Sequence, residues 1–315
     1  MKVLITGANG FVGRALVARL DDQPDCTAVC AVRNPKGLAA VPVKVVQIPD
    51  LTANTDWSAA LSGVEVVVHT AARVHVMNEQ SADPLAEFRR VNVEGTLALA
   101  RQAATAGVRR FVFLSSIKVN GEATEPGKPF TADQPPAPVD PYGISKLEAE
   151  QGLQELAAET GMSVVIIRPV LVYGPGVKGN FRSMLGWLRR GIPLPLGAIN
   201  NRRSLVALDN LVDLIMACTT HPAASNQVFL VSDDEDMSTT QLLQRMARAM
   251  DTSSRLIPVP AVLIKAVAAL LGRGDIAQRL CGSLQVDISK TKERLQWQPP
   301  VSVDTALRRT AEECV

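Results

Sequence analysis

The first thirteen residues limit the fold more than any other stretch. Lys2–Thr6 is a short apolar run carrying Val and Ile. It is followed at once by Gly7-Ala8-Asn9-Gly10-Phe11-Val12-Gly13 and a helical pattern through Leu20. Strand, glycine turn and helix in that order open a dinucleotide-binding α/β fold. Gly7 permits the tight turn, Gly10 lets the backbone approach a pyrophosphate, and Gly13 allows close packing of helix on strand. The spacing is G-x-x-G-x-x-G rather than the commoner G-x-G-x-x-G.

The alternation continues. Thr27–Val32 predicts a second strand and residues 43–48 a third, leading into Asp50-Leu51. Val64 to His69 is a near-continuous apolar run, as a strand covered on both faces requires. Residues 84–106 are helical in pattern, Arg110–Leu114 reads as a strand, a helix runs from Tyr142 to about Thr160, and 163–167 is another strand. The expected architecture is a Rossmann-like doubly wound parallel sheet over residues 1–170, the dinucleotide-binding domain. A smaller, interleaved α+β substrate domain over 171–315 follows, with some later segments returning to the first. In that second half, segments at 181–190, 210–219, 238–251, 261–271 and 302–313 look helical, and 204–208 and 226–231 look like short strands. Residues 121–141, with six prolines, predict a loop and a substrate-facing flap.

Composition excludes several classes. A net charge of +2 leaves no broad basic field for nucleic acid or an anionic membrane. Cys26, Cys30, Cys218, Cys281 and Cys314 form no C-x-x-C pair, which argues against a disulfide framework or zinc site and fits a reducing compartment. The N-terminus enters a strand directly, without a signal-peptide layout, so a cytoplasmic location is expected. Residues 256–271 are largely apolar. Prolines at 258 and 260 shorten any helix there and Lys265 sits in its middle, which predicts a core or substrate-covering helix rather than membrane insertion.

Tyr142 and Lys146 stand four positions apart, so the two share one helix face. A phenol ionises near pH ~10, and a nearby ammonium lowers that value, making the tyrosine a workable general acid or base. Ser116 follows the strand at Arg110–Leu114; where strand end and helix start meet, its hydroxyl can hold the same substrate oxygen. At the second strand's end stands Arg33, where an acidic residue would hold the ribose 2′-hydroxyl of NAD; an arginine suits a 2′-phosphate. NADP(H) is therefore the preferred cofactor, with NAD(H) as the other possibility. Asp50 can meet the adenine amino group or serve as an ordinary turn residue. Ala71 and Ala72, small side chains after a strand, leave room for ribose or nicotinamide. His69 reads as a packed structural histidine, His75 and His221 stand isolated, and no metal-ligand cluster is present.

Thr6-Gly7-x-x-Gly10-x-x-Gly13, His69-Thr70-Ala71-Ala72, Asn92, Ser116, Tyr142-x-x-x-Lys146 and Arg168-Pro169-x-x-x-Tyr173-Gly174-Pro175-Gly176 occur in one order and spacing. In these the chain resembles the extended short-chain dehydrogenase/reductases, within them the nucleotide-sugar epimerase/dehydratase/reductase group. The resemblance implies a catalytic triad of Ser116, Tyr142 and Lys146, with Lys146 also on the nicotinamide ribose and Asn92 supporting the active-site water and helix geometry. The cofactor set becomes Gly7, Asn9, Gly10, Phe11, Val12, Gly13, Arg33, Asp50, Leu51, Ala71, Ala72, Asn92, Tyr142, Lys146 and Pro169. Substrate contacts are assigned to Lys118, Asn180 and Arg203, the last two on a sugar-nucleotide diphosphate, where a guanidinium fork suits phosphate. A homodimer paired through the helices at 84–106 and 142–160 is also implied.

Departures narrow the activity. Ile117 and Lys118 stand where sugar-nucleotide 4,6-dehydratases resembling this chain carry an Asp-Glu pair, which argues against dehydration. Asn120 stands where typical UDP-hexose 4-epimerases carry an aromatic residue. The run Ser115 to Glu122 resembles a branch associated with bacterial surface-polysaccharide sugars. The expected activity is an NAD(P)-dependent oxidoreductase at C4 of a UDP-sugar, first a UDP-4-keto-6-deoxy-N-acetylhexosamine 4-reductase. The alternatives are a UDP-hexose 4-epimerase (UDP-glucose or UDP-GlcNAc) and, more distantly, a non-catalytic dinucleotide-binding sensor.

Overall fold

The computed structural model describes residues 1–35, 37, 43–74, 83–125 and 127–313. Its strands are β1 (Lys2–Thr6), β2 (Thr27–Val32), β3 (Lys44–Gln47), β4 (Val66–His69), β5 (Arg110–Leu114), β6 (Ser163–Pro169), β7 (Leu171–Tyr173), β8 (Leu205–Ala207) and β9 (Gln227–Val231). The helices of the first half are α1 (Phe11–Asp21), α2 (Ser58–Leu61), α3 (Pro84–Arg89), α4 (Thr96–Thr105) and α5 (Pro141–Thr160). Those of the second are α6 (Gly179–Arg189), α7 (Leu208–Thr220), α8 (Thr239–Ala249), α9 (Ala261–Leu270), α10 (Gly274–Cys281), α11 (Ser289–Leu295) and α12 (Val303–Glu313).

Seven strands form one parallel sheet in the order β3-β2-β1-β4-β5-β6-β9, and β7 pairs with β8 in a separate parallel ribbon. β-Branched runs such as Val66-Val67-Val68 are buried on both faces, because helices cover both. One face packs Leu16, Val17 and Leu20 of α1 with Leu211, Leu214 and Ile215 of α7. The other takes Leu99 and Ala103 of α4 and Leu153 and Ala157 of α5. A third core joins Phe181, Leu185, Leu243, Met246 and Leu307 in the second half. Thus β9 and α7, late in the chain, complete the sheet begun at residue 2. Register aligns Thr6 with Ala31 and His69, His69 with Phe113, and Leu114 with Ile167, so the segments leaving these strands share one carboxyl edge.

Several elements differ from the sequence reading. The helix expected over 84–106 is interrupted by a π-helical turn at Arg90–Gly95, and helices α10 and α11 were not foreseen. The described residues of 121–140 form a loop, as expected, and it is held at both ends of its middle stretch. Thr124 N donates to Ser283 O at 2.9 Å, Phe130 N to Gln285 O at 2.9 Å, and Asp287 N to Phe130 O at 2.9 Å, strapping it to the second half. Helix α9 is not a core helix, since none of its residues is buried. No described helix is long and apolar enough to cross a membrane.

Candidate active site

The glycine turn closes where the sequence places it. Gly7 has φ +69°, and a Cβ there would lie 2.8 Å from Ala71 N. A Cβ on Gly10 would lie 2.9 Å, and one on Gly13 2.1 Å, from Gly7 O. Gly10 N donates to Gly7 O at 2.7 Å and caps α1 with no side chain over its first turn. That leaves the backbone N–H groups of the turn at Phe11 and Val12 directed at the sheet edge, the arrangement that suits a pyrophosphate. Asn9 Nδ2 ties the turn to Asn34 O at 2.6 Å. Only a Cβ-free backbone makes this cradle, so its residues fit a dinucleotide. Gly13→Ala is expected to abolish dinucleotide binding, measured by calorimetric titration, because its methyl would overlap the Gly7 carbonyl; unaltered affinity would mean the pyrophosphate lies elsewhere.

Farther along the edge, Arg33 is exposed and stands 3.7 Å from Asp50. Asp50 also takes the Leu51 N–H at 2.8 Å and Arg90 Nη1 at 3.3 Å; the Leu51 hydrogen bond first, and then the two arginines, hold its carboxyl below the usual range. Leu51 is buried, and a Cβ on Gly95 would lie 2.8 Å from its carbonyl oxygen. Ala71 and Ala72 follow β4, half-buried, and Pro169 ends β6. His69 is structural as expected. Its Nδ1 meets Thr6 Oγ1 at 2.7 Å, its Nε2 meets Thr96 Oγ1 at 2.9 Å, and burial drops its pKa to about 3. His221 Nδ1 accepts Ala223 N at 3.2 Å, and His75 and Cys314 lie outside the described residues.

Ser116, Tyr142 and Lys146 converge where β5 ends beside the first turns of α5. Asp140 caps that helix, its Oδ1 accepting Gly143 N at 2.6 Å, and Pro141 supplies the preset first residue. Ser116 hydrogen-bonds the Tyr142 hydroxyl, and Phe88 meets the phenol ring edge-on at 6.0 Å. Lys146 is buried; its Nζ donates to Leu114 O at 2.8 Å and lies 4.3 Å from the Phe113 ring centre. The expected lowering of the phenol by this lysine is not what the protein presents. Burial, then the Asp140 charge, push Tyr142 up to about 12, with only the Ser116 hydrogen bond pulling it down. Lys146 itself is lowered to about 7 by burial, against an upward pull from Glu150. Desolvation wins over charge attraction at both groups.

Asn92 sits inside the π-helical turn, fully buried. Its Oδ1 accepts Arg73 N at 2.8 Å, and its Nδ2 donates to Arg73 O and to Ser145 Oγ, both at 3.0 Å. It therefore clamps the β4 loop to the helix bearing Tyr142. The extra residue of a π turn re-aims such a side chain.

The residues expected at the substrate are spread out. Lys118 pairs with Asp140 and reaches Glu122 at 3.4 Å. Asn180 is exposed in the first turn of α6. Arg203 Nη1 donates to Arg279 O at 3.0 Å and Gly282 O at 3.1 Å, which orients the guanidinium and leaves Nε and Nη2 without partners among the described residues.

A buried layer behind the triad escaped the sequence reading. Glu150 accepts from Arg168 Nε at 3.0 Å and Nη2 at 2.5 Å and from Ser115 Oγ, and Arg168 Nη1 donates to Asn120 Oδ1 at 3.0 Å. Asn120 also donates to Thr131 O at 3.0 Å. The signal was available: Tyr142, Lys146 and Glu150 recur every four residues on one helix face.

A family model described as the NAD dependent epimerase/dehydratase family matches residues 3–232. The chain belongs to that family. This epimerase/dehydratase-family protein is 48% identical over 315 residues, 98% of its own chain and 94% of the other, to a UDP-glucose 4-epimerase of Vibrio cholerae. Its fold is shared by a UDP-glucuronic acid 4-epimerase of Bacillus cereus in complex with NAD (TM-score 0.80, 21% identity, 100% of this chain and 96% of that one). It is shared equally by a UDP-glucose 4-epimerase of Thermotoga maritima with UDP-glucose (TM-score 0.78, 22% identity, 99% and 98%). The family protein is an enzyme of the short-chain dehydrogenase/reductase type, and its seven-stranded parallel sheet is the Rossmann-like one expected.

Proposed function

We propose that this enzyme is a UDP-hexose 4-epimerase with NAD(H) as its resident cofactor. The observation that carries the choice is its 48% identity to the Vibrio cholerae UDP-glucose 4-epimerase. It favours the epimerase alternative over the 4-keto-6-deoxy-sugar reductase put first on the sequence motifs alone. Asn120 no longer weighs against epimerisation, since its side chain is spent on Arg168 and Thr131. NAD(H) is supported by the Bacillus cereus relative solved with NAD and by Asp50, which sets a carboxylate beside Arg33 and against an added 2′-phosphate.

A bound nicotinamide dinucleotide supplies the hydride acceptor and, when oxidised, a positive ring. The chain's own residues handle the proton. Tyr142 takes it from the C4 hydroxyl and returns it when the sugar is rebuilt, while Ser116 holds the same oxygen. Lys146, in its charged form, offsets the charge that forms on the phenol, and Glu150, one turn farther on, pulls Lys146 upward against the burial that brings it to about 7. Asn180 and the oriented Arg203 are the diphosphate contacts in this reading, with Lys118 beside the sugar. A homodimer through α3, α4 and α5 belongs to the same proposal.

The test is incubation with UDP-glucose, UDP-GlcNAc and UDP-4-keto-6-deoxy-GlcNAc, each with and without NADPH. Interconversion of C4 epimers without net loss of absorbance at 340 nm is the expected result, with NAD(H) released on denaturation. Stoichiometric NADPH consumption on the keto sugar would restore the reductase, and no turnover on any would favour the non-catalytic sensor.

A further inference from the structure

Helix α9 turns toward solvent a face as apolar as the one it turns inward. Ala261 and Ile264 rest against the second-half core. Outward stand Val262 (75% exposed), Leu263 (56%), Val267 (55%), Leu270 (87%) and Leu271 (70%). Single exposed hydrophobics are ordinary, but five large ones on one ten-residue helix and its cap form a patch that something covers.

Charge says what covers it. Residues 252–286 contain four basic side chains, Arg255, Lys265, Arg273 and Arg279, and one acidic residue, Asp275. That is a local excess of +3 in a chain whose total is +2, so the remainder is net −1. The small total conceals a cationic segment, bounded by Asp251 and Asp287, that contains the apolar helix. A second copy of the chain is a poor fit, because a two-fold contact here would set this positive excess against itself. Too short to span, apolar on its outer side and flanked by cations, the helix matches an anionic bilayer surface. We propose that α9 lies in the headgroup region of an anionic membrane, its Val and Leu side chains among the upper acyl chains. Lys265 reaches back to the phosphates along its own aliphatic stem.

The experiment is co-sedimentation of the full chain with phosphatidylcholine vesicles, with and without phosphatidylglycerol. Binding is expected on the anionic vesicles and is expected to weaken as salt rises. The double substitution Leu263→Asp/Leu270→Asp is expected to lower the bound fraction at least ~10-fold, and Lys265→Glu several-fold. Both changes lie on exposed positions, so circular dichroism and melting should match the wild type. The proposal is overturned by absence of wild-type binding, or by binding that the double variant leaves unchanged. It is equally overturned if the double variant loses an oligomeric state that the wild type holds in sedimentation velocity, which would make a second copy the cover.

Discussion

Tyr142→Phe should lower turnover by at least ~100-fold while leaving dinucleotide affinity where it was. The substitution removes one oxygen and keeps the ring, so the edge contact with Phe88 at 6.0 Å and the packing of α5 survive. What disappears is the hydroxyl that hydrogen-bonds Ser116, the group proposed to move the proton at the sugar oxygen. A 100-fold loss corresponds to about 2.7 kcal/mol of transition-state stabilisation. The phenol is held near 12 by burial and by Asp140, so it stays protonated across the neutral range unless positive charge is brought to it. Steady-state epimerisation rates set beside dinucleotide titration separate the two effects. A rate within a few-fold of wild type would remove Tyr142 from the chemistry.

Arg168→Ala carries the largest expected cost in stability, about 3–5 kcal/mol. Both partners are almost wholly buried, the Arg168 and Glu150 side chains being 5% and 2% exposed. Removing the guanidinium leaves the Glu150 carboxylate in the interior with Ser115 Oγ as its remaining donor among the described residues, and takes the partner from Asn120 Oδ1. Urea unfolding should show the midpoint falling with an unchanged slope. Replacing both charges together, as Arg168→Met/Glu150→Leu, should recover part of the loss, because the penalty comes from an uncompensated charge rather than from a missing attraction. A loss below about 1 kcal/mol in the single variant would mean that water or a neighbour solvates Glu150.

The sheet was legible because its signals are local. A short Val-rich run such as Val64 to His69 suits a doubly covered strand, and three glycines in seven residues directly after a strand suit the dinucleotide turn. The Tyr142-x-x-x-Lys146 pair was legible for the same reason, since helical spacing alone puts both on one face. The π turn at Arg90–Gly95 was not legible. Its cause is a distant demand: Asn92 must reach both Arg73 and Ser145, and Gly95 must fit against Leu51.

From its order of residues alone, this chain determined a parallel dinucleotide sheet, the cradle at Gly7, Gly10 and Gly13, and the trio Ser116, Tyr142 and Lys146. The tertiary structure decided the electrostatics of that trio and the fate of the apolar stretch at 256–271. Desolvation depends on everything packed around a group, so Lys146 falls and Tyr142 rises in a way no four-residue spacing discloses. Whether an apolar helix is covered depends likewise on the surfaces left for it by the rest of the fold, and for α9 this chain covers only the side of Ala261 and Ile264.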